Sequence, residues 1–190
     1  MMRIGIFGGT FDPVHTGHLF IAKKAQEQLK IDKIIFIPAY IPPHKNHKNP
    51  RDAVHRVNML RLALKGERRF SLSLVEIKRK GRSYSIDTVK YFRRKYGPKT
   101  SLFFLIGADS ATELDAWKDI DRLMDMTQFV VAPRPGQRVR DGFKGLIKLK
   151  MKPKNISSSE IRERLRRKQP ITGLVPEAVR GYIYKNRLYT

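Results

Sequence analysis

The stretch Gly5-Ile6-Phe7-Gly8-Gly9-Thr10-Phe11-Asp12-Pro13-Val14-His15-Thr16-Gly17-His18 joins a short apolar run, Met2 to Phe7, to a segment with Leu19, Ile21, Ala22, Ala25 and Leu29 at helical spacing. The run reads as a buried strand and the segment as an amphipathic helix, so the stretch itself is a strand-to-helix loop. Gly8 and Gly9 let the backbone approach a ligand closely and adopt positive φ. A helix opening near Gly17 offers unpaired N–H groups and the positive end of a dipole. Gly8, Gly9, Thr10 and Phe11 are thus candidates to cradle a phosphate. His15 and His18, three apart, face the same way at the helix entrance, and each can donate a hydrogen bond to a phosphate oxygen.

Length and composition bound the rest. The chain has 190 residues, enough for one sheet covered by helices on both faces without a second core. With 41% hydrophobic and 30% charged residues it reads as a globular mixture, and no apolar run approaches the length of a membrane span. The sequence enters its first strand with no basic and apolar leader, which makes a cytoplasmic location the expectation. Cysteine is absent, excluding disulfides, thiolate nucleophiles and Cys-based zinc sites. A formal charge of +23 suits a polyanionic partner. No aromatic residues interleave with the dense basic run from Arg162 to Lys168, however, as a base-stacking platform would require. Most of that charge is read as a solvated face, with no specific nucleic-acid partner expected.

Strand and helix patterns then alternate along the chain. Lys33 to Pro38 is a second buried strand, and Ala39 to Pro50 is a proline-rich loop at its carboxyl end. Arg51 to Lys65 is helical, Phe70 to Ile77 a third strand, and Ser83 to Tyr96 a helix ended by Gly97-Pro98. Leu102 to Ile106 is a fourth strand, followed by Gly107-Ala108-Asp109-Ser110 and a helical stretch through Leu114 and Trp117. Gln128 to Ala132 is a fifth strand closed by Pro133-Arg134-Pro135-Gly136, Gly142 to Met151 has room for a short last one, and Ile156 to Lys168 and Pro176 to Asn186 are terminal helices. This alternation predicts an α/β fold, a Rossmann-like doubly wound parallel sheet with helices on both faces. Loops at the carboxyl ends of such strands face the ligand.

A second signal lies at Ile156-Ser157-Ser158-Ser159-Glu160-Ile161-Arg162. Ser157 is a natural N-cap, with Glu160 completing a capping box. The same helix start presents hydroxyl and N–H donors to an anion, and Ser158 and Arg162, four apart, project from one face. Capping and phosphate binding are compatible.

The glycine pair, Phe11-Asp12-Pro13 and His15-Thr16-Gly17-His18 together resemble the nucleotidyltransferases that carry the (H/T)xGH signature; no Walker lysine follows the glycines, and the dehydrogenase Gly-x-Gly-x-x-Gly is not formed. The serine segment is similar to the Ile-Ser-Ser-Thr-x-Ile-Arg motif of the same superfamily, with Ser159 in place of the usual threonine. Ile41-Pro42-Pro43-His44-Lys45, His55-Arg56, Ser83-Tyr84-Ser85-Ile86-Asp87-Thr88, Ile106-Gly107-Ala108-Asp109, Trp117 and Arg134-Pro135-Gly136 narrow the resemblance to the bacterial nicotinate-nucleotide adenylyltransferases. It runs from Ile4 to the C-terminus and implies a single nucleotidyltransferase domain over residues 1–190.

The resemblance implies adenylyl transfer from ATP to nicotinate mononucleotide, giving nicotinate adenine dinucleotide and pyrophosphate in NAD biosynthesis. His15 and His18 would then act on the α-phosphoryl oxygens, and Ser157, Ser158, Ser159 and Arg162 on the β- and γ-phosphates. Gly107 and Asp109 fall to the ATP side, Asp109 as partner of a ribose hydroxyl, although Asp at a helix N-cap is a common structural choice. Tyr84 and Ser85, at a helix start, are candidates for the nicotinate carboxylate. Ser85 lacks the methyl of the family's usual threonine. Trp117 would stack on the pyridine ring, where composition alone favours a packing aromatic. Lys45 and Arg134 are candidates for phosphate contacts. Mg2+ would travel with ATP rather than sit in a protein cage, since no carboxylate cluster is visible. Two alternatives stay open: preference for nicotinamide mononucleotide, and a basic nucleic-acid-binding protein on a degenerate scaffold. A homo-oligomer is also left open.

Overall fold

A computed structural model describes residues 1–42, 52–134, 136, 145–152 and 154–190. Six parallel strands form one sheet: β1 (Arg3–Gly9), β2 (Lys33–Pro38), β3 (Phe70–Leu72), β4 (Ser101–Gly107), β5 (Gln128–Ala132) and β6 (Ile147–Lys148). Their spatial order is β3-β2-β1-β4-β5-β6, as the sequence pattern predicts for a Rossmann-like sheet.

Period-two alternation sends each strand's apolar residues to both faces, because both are covered. Phe7, Ile34, Phe36, Phe103, Leu105 and Val130 point into one core. That core is closed by α1 (Thr16–Leu29), α2 (Ala53–Leu64), α7 (Ser158–Arg166) and α8 (Glu177–Lys185). Ile4, Ile6, Ile35, Phe104, Phe129 and Val131 point into the other. Packed there are α4 (Ser85–Tyr96), α5 (Ala108–Ala111) and α6 (Ile120–Met126).

Two expectations are corrected. The third strand ends at Leu72, and the expected continuation to Ile77 is instead the short helix α3 (Val75–Arg79). The single helical stretch after β4 is split into α5, a 3-10 turn at Leu114–Ala116, and α6, whose N-cap Asp119 is left-handed at φ 52°. The short last strand lies where it is expected, between Gly142 and Met151, and is two residues long.

The chain leaves β1 toward β2 on one side, and β4 lies on the other. The strand order therefore reverses at β1, and a crevice opens at the carboxyl ends of β1 and β4. The loops after β1, β2, β4 and β5 converge there.

Candidate active site

A cleft of about 1340 Å³ occupies this crevice, roomy enough for two nucleotide-sized ligands. Gly8, Gly9, Thr10, Phe11, His15, His18, Ser85, Gly107, Asp109, Trp117, Arg134, Ser157, Ser158, Ser159 and Arg162 all line it. Residues from opposite ends of the sequence thus meet in one place. Tyr84 does not line it, and Lys45 lies outside the described residues.

The first loop is built differently from its glycine-based reading. Gly8 and Gly9 are strand residues; the positive φ belongs to Phe11, at 52°. Glycine is needed at position 9 for space instead, since a Cβ there would stand 3.0 Å from the Phe11 ring. That ring is 2% exposed and packs edge-on against Phe7, so Phe11 shapes the loop from the core side.

His15 is the N-cap of α1, with extended backbone. Its N–H donates to His18 Nδ1 at 3.2 Å, and the two rings stack with centroids 3.6 Å apart. Because Nδ1 accepts, the neutral His18 ring carries its proton on Nε2. Gly17 leaves room for this pair: a Cβ on it would lie 3.0 Å from His15 Nδ1. Burial, and secondarily the Arg134 guanidinium, lower the His15 pKa to about 4. His15 therefore offers a neutral N–H at physiological pH, and positive charge at the site must come from elsewhere. A phosphate oxygen beside the ring would raise its proton affinity again.

The helix α7 start is locked onto the same loop. Ser158 Oγ donates to Pro13 O at 2.9 Å, and Arg162 Nη1 donates to Asp12 O at 2.6 Å and Nη2 to Ser159 Oγ at 3.2 Å. Ser157 is the expected N-cap, accepting from Glu160 N at 3.1 Å. The reciprocal half of the capping box is replaced by a contact between Glu160 and Arg164 Nε at 3.0 Å. Further along the basic run, Arg166 and Arg167 pair with Glu163 of the same helix.

Asp109 and Arg134, read separately as ribose and phosphate ligands, are bound to each other as an ion pair. Asp109 Oδ1 is buried without a hydrogen-bond partner. Trp117 is both a packing aromatic and a cleft residue: its ring is edge-on to Phe104 and Phe129, each at 5.9 Å between centroids. Tyr84 is the N-cap of α4, but its N–H is spent on Arg82 O at 3.1 Å, and Lys118 Nζ lies over its ring. Donors for a carboxylate at that helix start therefore begin with Ser85. Among the described residues no group of three His, Asp or Glu gathers as a metal site.

Residues 6–164 match the Cytidylyltransferase-like family. The nicotinate-nucleotide adenylyltransferase of Bacillus subtilis is 43% identical over 189 residues, covering 100% of this chain and 99% of that protein. The probable nicotinate-nucleotide adenylyltransferase of Clostridium tetani is 42% identical over 200 residues, covering 100% of both. The chain belongs to the nicotinate-nucleotide adenylyltransferase family. In fold it resembles a Plasmodium falciparum nicotinic acid mononucleotide adenylyltransferase complexed with NaAD, with a TM-score of 0.83 at 21% identity, covering 100% of this chain and 98% of that one. No helix among the described residues is long and apolar enough to cross a membrane.

Behind and along the walls of this adenylyltransferase-family cleft are supporting residues to which the sequence assigned no role. Arg56, 1% exposed on α2, donates from Nη1 to Thr10 O at 2.9 Å and Ala39 O at 2.8 Å. Tyr189, near the C-terminus, donates to Asp12 Oδ1 at 2.5 Å. Asp12 thereby ties the first loop to the last residues of the chain. A signal for Arg56 did exist: it shares the inward spacing of Met59, Leu60 and Ala63, where a cation needs partners.

The depressed His15 pKa carries a stability consequence. Above pH 6.5 the ring is neutral folded or unfolded, and it contributes no slope. Between 6.5 and about 4 the unfolded chain takes a proton that the folded chain refuses, so stability falls with pH across that window. The full effect is about 3 kcal/mol. Glu76, whose pKa burial raises, contributes in the opposite direction. The His15 part is therefore read as the difference between wild type and His15→Asn in urea unfolding at pH 7 and pH 5. A loss in wild type about 2 kcal/mol larger than in the variant is expected; equal losses would refute the assignment.

Proposed function

We propose that this chain transfers the adenylyl group of ATP to nicotinate mononucleotide, forming nicotinate adenine dinucleotide and pyrophosphate in NAD biosynthesis. The observation that carries the reading is the junction of two anion-binding helix starts: the His15–His18 pair opening α1, and Ser157–Ser159 with Arg162 opening α7, tied together through the carbonyls of Asp12 and Pro13. Family membership supports it independently.

The mononucleotide phosphate is already an anion, so in-line attack on the α-phosphorus needs no general base. Rate then depends on alignment and on stabilising charge at the phosphoryl oxygens. His18, with its proton on Nε2, and neutral His15 act there as N–H donors. The α7 start and Arg162 hold the outgoing β- and γ-phosphates. Asp109 and Arg134 neutralise each other as an ion pair, and their proposed roles require them to part: Asp109 toward a ribose hydroxyl, Arg134 toward phosphate. Ser85 offers N–H and hydroxyl to the nicotinate carboxylate, and Trp117 a ring face to the pyridine.

A divalent ion fits this cleft as a passenger on the triphosphate, because among the described residues no group of three His, Asp or Glu gathers to hold it. Mg2+, the proposed ion, would neutralise phosphate charge while keeping most of its waters. The unpartnered Asp109 Oδ1 is the protein atom suited to one of those waters.

Pyrophosphate release from ATP with magnesium tests the reading, with nicotinate and nicotinamide mononucleotides assayed side by side. A preference for the acid on the order of a hundredfold in kcat/KM is expected. Preference for the amide would keep the chemistry and refute the carboxylate site at Ser85.

A further inference from the structure

A second carboxylate already stands where the substrate carboxylate is to bind. Glu76, on α3, lines the cleft together with Ser83 and Ser85 and is 5% exposed. It accepts from Thr88 Oγ at 2.6 Å and is hydrogen-bonded by the Ser83 hydroxyl. Those partners bracket the Tyr84-Ser85 step: Ser83 precedes it, and Thr88 lies one turn into α4 on the same side as Ser85. One turn is about 5.4 Å of rise, close enough for two carboxylates in a sheltered cleft to repel strongly.

The groups facing Glu76 come from three segments. Arg79 shares α3, and its Nη2 approaches Thr88 Oγ at 3.4 Å; Asp87 and Thr88 come from α4; Ser83 comes from the segment before it. Burial outweighs the hydrogen bonds and Arg79, and with Asp87 it holds the Glu76 carboxyl above the ordinary carboxylate range.

We propose that Glu76 makes the selectivity for acid over amide depend on pH, taking up one proton from solution when a carboxylate occupies the α4 start. The inference rests on the reading of Ser85 given above. Proton balance is simple: buffer loses one proton, and the ionised Glu76 carboxylate becomes a neutral carboxyl. Its hydrogen bonding survives the change. One oxygen still accepts from Thr88, and the new O–H can donate to Ser83 Oγ, which already accepts from Tyr40 N at 2.9 Å and has a second lone pair. An amide substrate brings no charge and draws no proton.

The experiment measures kcat/KM for nicotinate and nicotinamide mononucleotides across the whole pH range in which the enzyme stays folded, in wild type, Glu76→Gln and Arg79→Ala. The acid-to-amide ratio cancels the mononucleotide phosphate, His15 and every other group common to both substrates. In wild type the ratio should fall by about tenfold or more as pH rises through the Glu76 transition. In Glu76→Gln, which keeps an acceptor for Thr88, the ratio should stay flat near the low-pH wild-type value. Arg79→Ala removes a cation that favours ionisation and should move the transition to higher pH. Calorimetric titration with each mononucleotide, in two buffers of different ionisation enthalpy, should register net proton uptake with the acid in wild type, none with the amide, and none in Glu76→Gln. A wild-type ratio independent of pH, or a parallel fall in wild type and Glu76→Gln, overturns the proposal while leaving the Ser85 site intact. Absence of acid preference in wild type at every pH defeats the Ser85 reading itself, and this inference with it.

Discussion

Replacing His18 with alanine is expected to lower kcat by about 10²- to 10³-fold without preventing cooperative folding. The ring stands at the α1 start with Nδ1 engaged by His15 N–H, which directs its remaining N–H outward on Nε2. Its edges rest on Phe11 at 5.0 Å and Phe7 at 6.0 Å between centroids, so its position is fixed before any ligand arrives. A donor held in this way acts mainly where charge builds up in the transition state. The loss should therefore appear in kcat, with KM for the mononucleotide nearly unchanged. His18→Asn supplies an acceptor for His15 N–H and a shorter donor, and should recover part of the rate. Near-normal turnover in His18→Ala would remove the residue from the α-phosphoryl group. Unfolding midpoints of both variants distinguish loss of chemistry from loss of the loop.

What could be read from the sequence follows from how local the cause is. The bounds of β5, Gln128–Ala132, match the expectation because continuous apolar β-branched and aromatic residues leave no competing pattern. The overrun of β3 has an equally local origin. Val75 and Ile77 extend an apparent alternation from Phe70, yet Val75 packs toward the second core from a helix. Two apolar residues two apart cannot distinguish a strand end from one helical turn. The break at Asp119 turns on a left-handed non-glycine residue, for which the sequence gives no cue.

The site divides along the same line. Motifs contained in one loop or one helix start, around His15 and Ser157, were legible because the neighbouring residues themselves create the anion site. Pairings between distant segments were not. Nothing near Asp109 indicates that Arg134 will reach it, and nothing near Tyr84 indicates that Arg82 O will take its N–H. The expected positive φ at the glycine pair fell on Phe11 because burying that aromatic ring in the core outweighs its backbone cost. The charge of +23 is the excess left after every carboxylate is counted, so the pairs that Glu160 and Glu163 make with Arg164, Arg166 and Arg167 do not account for it. Such exposed pairs contribute little to stability, so their value lies in moderating the field of the basic surface.

The largest expected effect on stability belongs to a residue that touches no reacting atom. Arg56→Ala should cost about 3–5 kcal/mol, a fall in Tm of roughly 10 °C for a chain of this size. Burial pushes the Arg56 pKa down, while Asp12, Tyr189 and Asp52 oppose that shift, so the guanidinium depends on the two carboxylates around it. Removing it withdraws the donor shared by Thr10 O and Ala39 O and takes the counter-charge away from Asp12. Those two carbonyls belong to the loops following β1 and β2, so one guanidinium ties the loop that leads to His15 to its neighbour at the end of β2. Arg56→Lys keeps the charge but replaces a planar fork with a single shorter ammonium, and should recover less than half of the loss. Urea unfolding of the two variants measures the energy. A cost for Arg56→Ala below about 1 kcal/mol would mean that the loops are held by other contacts. If the tie is real, Arg56→Lys should also lose kcat/KM for ATP at temperatures where it remains fully folded, because Thr10 and Asp12 set the position of the α1 start and of Arg162 together.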